Sequence, residues 1–280
     1  MLETRVYQKE NTTRFGKLLG DSIRDILSSR FLAKQLAIRD IKSQYRQSYF
    51  GLLWIFVAPL GTALVWIFLN NSGTVNVTDT GMPYPVYVFS GTLLWSIITE
   101  SINSPMSSTN GARSIISKIN FPKEALIISG IYKLMFNSSV KVILLIVLLF
   151  SFGIGFNWSF LLFPLALLGA VLFGTTVGLF LTPIGMLYSD IGRFISLGLQ
   201  FLMYATPVVY AIPKEGVVKT LMEYNPISPL ILTARDLAIG AIPDHLSYYF
   251  LVIGLCIPLS LIGLVFYRIS IPIIVERLSA

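Results

Sequence analysis

Glu100, Lys133 and Asn137 are polar or charged residues inside long apolar stretches, where such side chains need a partner. Asn137 belongs to a series spaced four residues apart, which places its members on one face of a helix; the series is Ser129, Lys133, Asn137 and Lys141. We expect Glu100 and Lys133 to form an intramembrane ion pair. The alternative is that the series only packs and that Lys141 extends its ammonium to the membrane surface.

The chain carries no motif for the common kinds of catalysis. It has no G-x-x-x-x-G-K-[ST] phosphate loop, no H-E-x-x-H and no G-x-S-x-G sequence. One histidine, His245, and one cysteine, Cys256, cannot build a His or Cys metal cluster or an internal disulfide. We therefore predict a protein that is not an enzyme, with no metal and no cofactor of its own.

The composition indicates a membrane protein and excludes a soluble enzyme or a disordered chain as the first interpretation. Of 280 residues, 54% are apolar and 12% are charged, compared with about 25% charged in soluble domains. The mean hydropathy is +0.73. The net charge of +7 in so apolar a chain favours contact with an anionic membrane surface over binding to nucleic acid.

Six stretches with few or no charges are each near or above the ~20 residues that a helix needs to cross a bilayer. We predict an all-α membrane protein with six transmembrane helices at about 50–70, 84–105, 125–150, 159–187, 193–212 and 247–268. Residues 50–270 then form a six-span domain, preceded by an N-terminal segment, 1–49, and followed by a tail, 271–280. Gly174 and Gly178 form a G-x-x-x-G pair that permits close helix packing.

The distribution of Lys and Arg predicts that both termini are cytoplasmic. The non-membrane segments on the N-terminal side hold 16 of these residues and the opposite side holds 3. Ten of the 16 precede the first span, where residues 22–46 mix apolar and basic positions. This pattern is typical of an amphipathic helix in the membrane interface, which could frame the entrance for a phosphate-bearing lipid. An ordinary basic flank with no further role is the alternative.

Two segments between the predicted spans have sequence patterns that indicate short helices. Residues 106–124 contain a possible short helix between Gly111 and Ile119, which Phe121-Pro122 would end. The segment also has an apolar cluster, which would have no surface to pack against if the segment were only a connector. Residues 213–245 form the longest external segment, with possible short helices at 217–224 and 227–239. Aromatic residues in spans one and five either face lipid or line a path through the membrane.

Three groups of residues follow one another along the chain. The first comprises Arg39-Asp40-Ile41-Lys42, Tyr45-Arg46-Gln47-Ser48, Gly51, Trp54 and Pro59; the second comprises Gly91, Trp95, Ile115-Ile116, Lys118 and Phe121-Pro122-Lys123-Glu124; the third comprises Gln200, Pro207-Val208, Tyr210, Asn225-Pro226, Arg235-Asp236 and Gly240. From about residue 30 to the C-terminus they resemble the permease subunits of ABC-2 type exporters for polysaccharides such as O-antigen, capsule and teichoic acid. Gln44 and Ser189 depart from the pattern by standing where basic residues are usual.

The resemblance implies a homodimer around a central channel in the bacterial cytoplasmic (inner) membrane. Each subunit would pair with a separate ATPase subunit, which holds ATP and Mg²⁺, and the assembly would move an undecaprenyl-pyrophosphate-linked polysaccharide. Residues 106–124 would be the ATPase-coupling loop, and 213–245 an outer gate. An ABC-2 permease for a small molecule is one alternative, and a membrane-embedded transferase acting on a polyprenyl-linked glycan is another.

The predicted site residues fall into four sets. The coupling loop would use Arg113, Ile116, Lys118, Phe121, Pro122 and Glu124; the substrate entrance would use Arg39, Lys42, Tyr45 and Arg46; the channel-lining aromatics would be Tyr49, Trp54, Phe201 and Tyr204; the intramembrane polar residues are Glu100, Lys133 and Asn137.

Overall fold

The computed structural model describes residues 15–46, 49–74, 80–116 and 118–279, and these residues form helices and no strand. The helices are α1 (Phe15–Ser28), α2 (Arg30–Arg46), α3 (Trp54–Asn71), α4 (Tyr84–Gly111), α5 (Arg113–Ile116), α6 (Glu124–Ser151), α7 (Phe163–Leu187), α8 (Ser189–Tyr204), α9 (Val217–Tyr224), α10 (Ser228–Ile239) and α11 (Leu246–Ser279). The all-α prediction is confirmed.

Three segments are long and apolar enough to cross a bilayer: Glu124–Ser151, Trp158–Leu187 and Leu246–Arg277. The chain is thus an integral membrane protein, and six spans remain a prediction. The helix α4 lies at the centre of the structure, where it packs against α3, α6 and α7. Residues buried on α4, among them Val86, Leu93 and Ile98, join the largest apolar core.

Close approach of α7 to α4 depends on the two glycines of the G-x-x-x-G pair. A Cβ at Gly174 would overlap Ser101, and a Cβ at Gly178 would overlap the carbonyl oxygen of Ile102. The pair therefore serves packing within one chain, where the missing side chains let the two backbones come together.

The N-terminal segment forms two helices instead of one. The break falls at Ser29, whose hydroxyl donates to the carbonyl oxygen of Asp25 at 2.5 Å. Because a serine side chain competes for backbone acceptors, it favours such a break. The helix α1 packs against α11, and α2 packs against α6.

Two predicted boundaries differ from the structure. The helix α8 ends at Tyr204 instead of 212, because Pro207 disfavours helical backbone at the residue before it. The helix α11 continues to Ser279 and so takes in most of the predicted tail, 271–280. Its last turns bury Ile271 and Ile274 in a small core with partly buried residues of α1, which makes the extension favourable.

Candidate functional site

Inside the predicted spans, Glu100 pairs with a different lysine from the expected one. The Lys141 ammonium lies 2.6 Å from Glu100 Oε2, and the Asn137 amide donates to the other carboxylate oxygen. The predicted pair of Glu100 and Lys133 is wrong: no acidic side chain of the described residues lies within 4 Å of the Lys133 ammonium. Lys141 lies eight residues, about 12 Å, further along α6. It is 5% exposed, so it needs the carboxylate to neutralise its charge.

A polar cavity of about 230 Å³ lies between α2, α4 and α6. Its lining contains two carboxylates, one lysine, and several hydroxyl and amide groups. The lining residues are Asp40, Gln44, Glu100, Asn103, Ser104, Ser107, Ser108, Ser129, Gly130, Lys133, Leu134 and Asn137. The structure therefore brings Glu100, Lys133 and Asn137 to one cavity, together with Asp40 of the interfacial helix α2.

The predicted coupling residues differ in exposure: some are buried within the chain and others are exposed. Ile116 is buried against Ala112 and Leu126, so it packs inside the chain and does not project towards a partner. Glu124 is buried as well. Within the described part of this segment, the exposed residues are Ser107, Gly111, Arg113, Ser114, Lys118, Ile119 and Asn120.

Other members of the coupling segment hold it to the body of the protein. The Arg113 guanidinium donates to the carbonyl oxygen of Met186 at the end of α7. Phe121 and Pro122 are half-buried, and the Lys123 ammonium lies 4.5 Å from the centre of the Phe121 ring. Burial lowers the pKa of Lys123, and the neighbouring Glu124 carboxylate opposes this shift. The hydrogen bond of Arg113 thus holds this segment against the end of α7.

An ion-pair network joins three helices beside this segment. Arg268 of α11 donates to Asp25 of α1 at 2.8 Å and also to Glu124 at the start of α6. The Ser22 hydroxyl donates to the same Glu124 carboxylate at 3.1 Å. Both acidic residues are nearly inaccessible to solvent, so Arg268 balances two buried negative charges at once.

Of the predicted entrance residues, the structure describes three side chains. Arg39, Lys42 and Arg46 are exposed on α2, and Arg39 forms an ion pair with the adjacent Asp40 at 2.7 Å. The side chain of Tyr45 lies outside the description. These basic groups remain available to anionic headgroups, as an interfacial helix requires.

The predicted channel aromatics form two separate groups. Tyr49 and Trp54 are exposed at the start of α3 and are linked through Phe50, whose ring centre is 5.9 Å from each of theirs. Tyr204 lies at the other end, with its ring centre 6.5 Å from that of Trp66. Trp66 is twelve residues after Trp54, or about 18 Å along α3. The aromatics therefore mark two positions along the helices instead of one site.

The helix α8 is poorly covered within the chain. Its exposed residues include large aromatic and small polar side chains: Phe194 (70% exposed), Phe201 (73%), Tyr204 (45%), Ser196 and Gln200. The Ser196 hydroxyl donates to the carbonyl oxygen of Gly192 at 2.9 Å. The exposed Gln200 amide would favour water or a second protein surface over hydrocarbon as its neighbour.

Sequence reasoning missed a buried arginine beside the backbone that follows α8. Arg235 of α10 was counted among the external charges, but it is 1% exposed. Its guanidinium donates to the carbonyl oxygens of Pro207 and Val208, at 3.0 and 2.8 Å, and lies 3.7 Å from the centre of the Tyr87 ring. The arginine thus provides hydrogen-bond donors to carbonyl oxygens of the irregular backbone that follows α8.

Further hydrogen bonds complete the same arrangement. The hydroxyls of Tyr84 and Tyr87 donate to the carbonyl oxygens of Val209 and Tyr210, each at 3.2 Å. The Asn225 amide donates to the carbonyl oxygen of Ala205 at 3.0 Å, and Asn225 Oδ1 accepts from the backbone of Ile227. Irregular backbone at membrane depth requires this full set of partners.

Two glycines of the resemblance motif serve this outer arrangement. A Cβ on Gly91 would overlap the carbonyl oxygen of Val208 and the Arg235 guanidinium. Gly240 ends α10 with φ at +88°, a left-handed conformation that favours glycine. Gly91, Pro207-Val208 and Arg235 all belong to the residues that carry the resemblance, and this was the signal that could have revealed their contact.

Next to the arginine, Asp236 has an altered pKa. Burial raises the pKa of this carboxyl to about 6, and the Asp244 carboxylate adds to the rise. The Arg235 guanidinium and His245 act in the opposite direction. Among the described residues, no group of three or more His, Cys, Asp or Glu side chains could hold a metal ion.

The fold is that of a helical membrane protein. A family model for the ABC-2 type transporter matches residues 32–238, so the chain belongs to the ABC-2 transporter family. This is a family of transport proteins and not of enzymes.

Curated relatives are similar over most of their length. The chain is 26% identical to an O-antigen export system permease protein RfbA of Klebsiella pneumoniae, over 83% of this chain and 91% of that protein. It is 27% identical to the RfbA protein of Myxococcus xanthus, over 75% of this chain and 80% of that protein.

Proposed function

We propose that this chain is the permease subunit of an ATP-driven exporter that moves a lipid-linked polysaccharide out of the cytoplasm through a homodimeric channel. The observation that carries the proposal is the uncovered face of α8, where Ser196 and Gln200 lie beside Phe194, Phe201 and Tyr204. Hydroxyl and amide groups suit a water-filled path, and aromatic faces suit weak contact with sugar rings. The names of the RfbA relatives support polysaccharide as the cargo.

The topology of this proposal has six spans, formed by α3, α4, α6, α7, α8 and α11, with both termini in the cytoplasm of a bacterial cell. The excess of Lys and Arg before α3 and in the segment after α4 supports this orientation. The external segment then contains α9 and α10, which contact the backbone that follows α8 through Asn225 and Arg235. This segment is suited to close the outer mouth.

The ATPase partner is proposed to bind the exposed surface formed by Arg113, Lys118 and Ile119. Movement of this surface would pass to α6 and α7, because Arg113 bonds to Met186 and Glu124 begins α6 within the Arg268 network. A small rigid displacement can be transmitted in this way through packed helices. ATP and Mg²⁺ would belong to the partner subunit.

Co-expression with the ATPase of the same exporter tests the proposal. We expect the two proteins to copurify in a 2:2 complex by native mass spectrometry, and deletion of the permease to leave polyprenyl-linked glycan inside the cell. Lys118→Glu should reduce ATPase copurification at least fivefold, because it reverses a charge on the exposed loop. Lys219→Glu, on the external helix α9, is the matched control and should leave copurification unchanged.

Two results would contradict this function. Normal glycan at the cell surface after deletion would favour the small-molecule permease. Purification of a stable chain that never retains an ATPase would contradict the ABC exporter itself.

A further inference from the structure

The polar cavity between α2, α4 and α6 has an uncompensated positive charge. Asp40 is paired with Arg39 at 2.7 Å, and Glu100 is paired with Lys141 at 2.6 Å. Lys133, which is partly buried, has no acidic side chain within 4 Å among the described residues. The cavity is therefore complementary to an anion with a single negative charge.

The wall of the cavity provides hydrogen-bond donors for such an anion. Ser129 and Ser104 are buried residues on facing helices, and both line the cavity. Each of these two hydroxyls has either access to solvent or a hydrogen-bond partner in the described chain. Gly130 keeps the space open, since a Cβ there would lie 2.6 Å from the hydroxyl oxygens of Ser104 and Ser108.

The position of the cavity suits a lipid headgroup. Ser107 and Ser108 lie within about one turn of Gly111, the last residue of α4, and α2 contributes Asp40 and Gln44 to the lining. In the predicted orientation this end of α4 faces the cytoplasm, so the cavity lies near the headgroups of the inner leaflet. A lysine at this depth extends its ammonium towards the interface.

We infer that this cavity binds the phosphodiester of an anionic glycerophospholipid from the cytoplasmic leaflet, with Lys133 as the counter-ion and the Ser129 and Ser104 hydroxyls as donors. A phosphodiester carries one negative charge at neutral pH, which matches the single free lysine. The volume of about 230 Å³ admits a phosphate with part of its glycerol and is too small for a polymer of sugars. The site lies apart from the α8 face and does not depend on what the protein exports.

Thermal unfolding of the delipidated full-length protein in neutral detergent tests the inference. The probes are phosphatidylglycerol, diacylglycerol without a headgroup, inorganic phosphate and polyprenyl phosphate. We expect phosphatidylglycerol to raise the melting temperature by several degrees, and diacylglycerol and inorganic phosphate to have no effect. Lys133→Met should need at least tenfold more phosphatidylglycerol for the same rise, and Lys133→Arg should behave like the wild type.

The controls separate this site from general attraction of lipids to basic side chains. Lys34→Met removes an exposed lysine of α2 outside the cavity and should respond to phosphatidylglycerol like the wild type. Ser129→Ala keeps the charge and should weaken the response about threefold, which supplies a second variant if Lys133→Met does not fold. Native mass spectrometry of the wild type should detect one retained phosphatidylglycerol per chain.

Three results would overturn the inference. If Lys133→Met responds to phosphatidylglycerol like the wild type, Lys133 is not part of the binding site. Equal protection by inorganic phosphate excludes a lipid as the source of the anion. Stronger protection by polyprenyl phosphate assigns the cavity to a carrier lipid instead of a membrane glycerophospholipid.

Discussion

At Gly91 the absence of a side chain leaves room for the buried charge of Arg235. The guanidinium lies against the Tyr87 ring and donates to the carbonyl oxygens of Pro207 and Val208 and to the Ser90 hydroxyl, so one face and all three nitrogens have a partner. A planar group with several donors in fixed directions suits this position, whereas a lysine would present one compact charge. The residue therefore secures the turn after α8.

We predict that Gly91→Ala lowers the free energy of unfolding by about 1–3 kcal/mol or more, because the added methyl group overlaps Val208 and Arg235. Val208 cannot easily move, since it is fully buried. Thermal melting of the purified protein in detergent measures the effect. Gly254→Ala, in α11, is the matched control, because a Cβ there meets no atom within 4 Å. Equal melting temperatures for the two variants would refute the tight contact.

The sequence predicted polar groups inside the membrane but not their partners. Glu100 and Lys133 are at similar predicted depths, so a pair was reasonable, yet Lys141, about 12 Å further along α6, reaches the carboxylate. Arg235 was counted as an external charge because it lies in the segment between the fifth and sixth predicted spans, and its burial was not foreseen. The carbonyl oxygens that bury it belong to irregular backbone, which leaves no hydropathy signal.

At the scale of elements, apolar length predicted the helices well. The predicted spans at 84–105 and 125–150 correspond to α4 and α6, although α4 continues to Gly111. Its last turn carries Ser107, Ser108 and Thr109, whose hydroxyls bond back to carbonyl oxygens of the same helix. Such internal bonds allow polar residues to extend a helix beyond its apolar part.

The contact of α1 with α6 and α11 depends on Arg268, and its loss should release α1. We predict that Arg268→Met destabilises the protein by about 3–5 kcal/mol, because two nearly buried carboxylates, Asp25 and Glu124, lose their shared counter-charge. Limited proteolysis should then cleave within α1 at least tenfold faster than in the wild type.

Two further variants distinguish loss of charge balance from general damage to α11. Arg277→Met removes an exposed arginine near the end of the same helix and should leave proteolysis unchanged. Combining Arg268→Met with Asp25→Asn and Glu124→Gln should restore part of the protection, since neither side chain then carries a buried charge. No recovery in this triple variant would mean that packing, and not charge, holds α1.

On the scale of the whole molecule, α4 connects the two ends of the protein. Its N-terminal end contacts the backbone after α8 through Tyr84 and Tyr87, and near its C-terminal end the Thr109 hydroxyl lies 2.8 Å from that of Tyr267 in α11. Because α4 packs against α3, α6 and α7 along its length, a displacement at the coupling segment would be transmitted as a movement of packed helices.

The uncovered face of α8 leads to a prediction about the assembled transporter. If this face lines a water-filled path between two copies, a cysteine on it will ionise and react with a water-soluble maleimide, because the thiolate is the reactive form. In a Cys256→Ser background, Ser196→Cys should be labelled at least tenfold faster than Ser139→Cys in vesicles that contain the ATPase and ATP.

Ser139 is a matched control because it is an exposed serine on α6 beside Ile143, which is 61% exposed on an apolar face. Lipid is expected to cover that face, so a cysteine there stays protonated and slow to react. A soluble oligosaccharide of the exported type should occupy the path and slow the labelling reaction only at position 196. Equal labelling at the two positions would mean that the α8 face has no more access to water than the apolar face of α6, and the path for the cargo would then have to lie elsewhere.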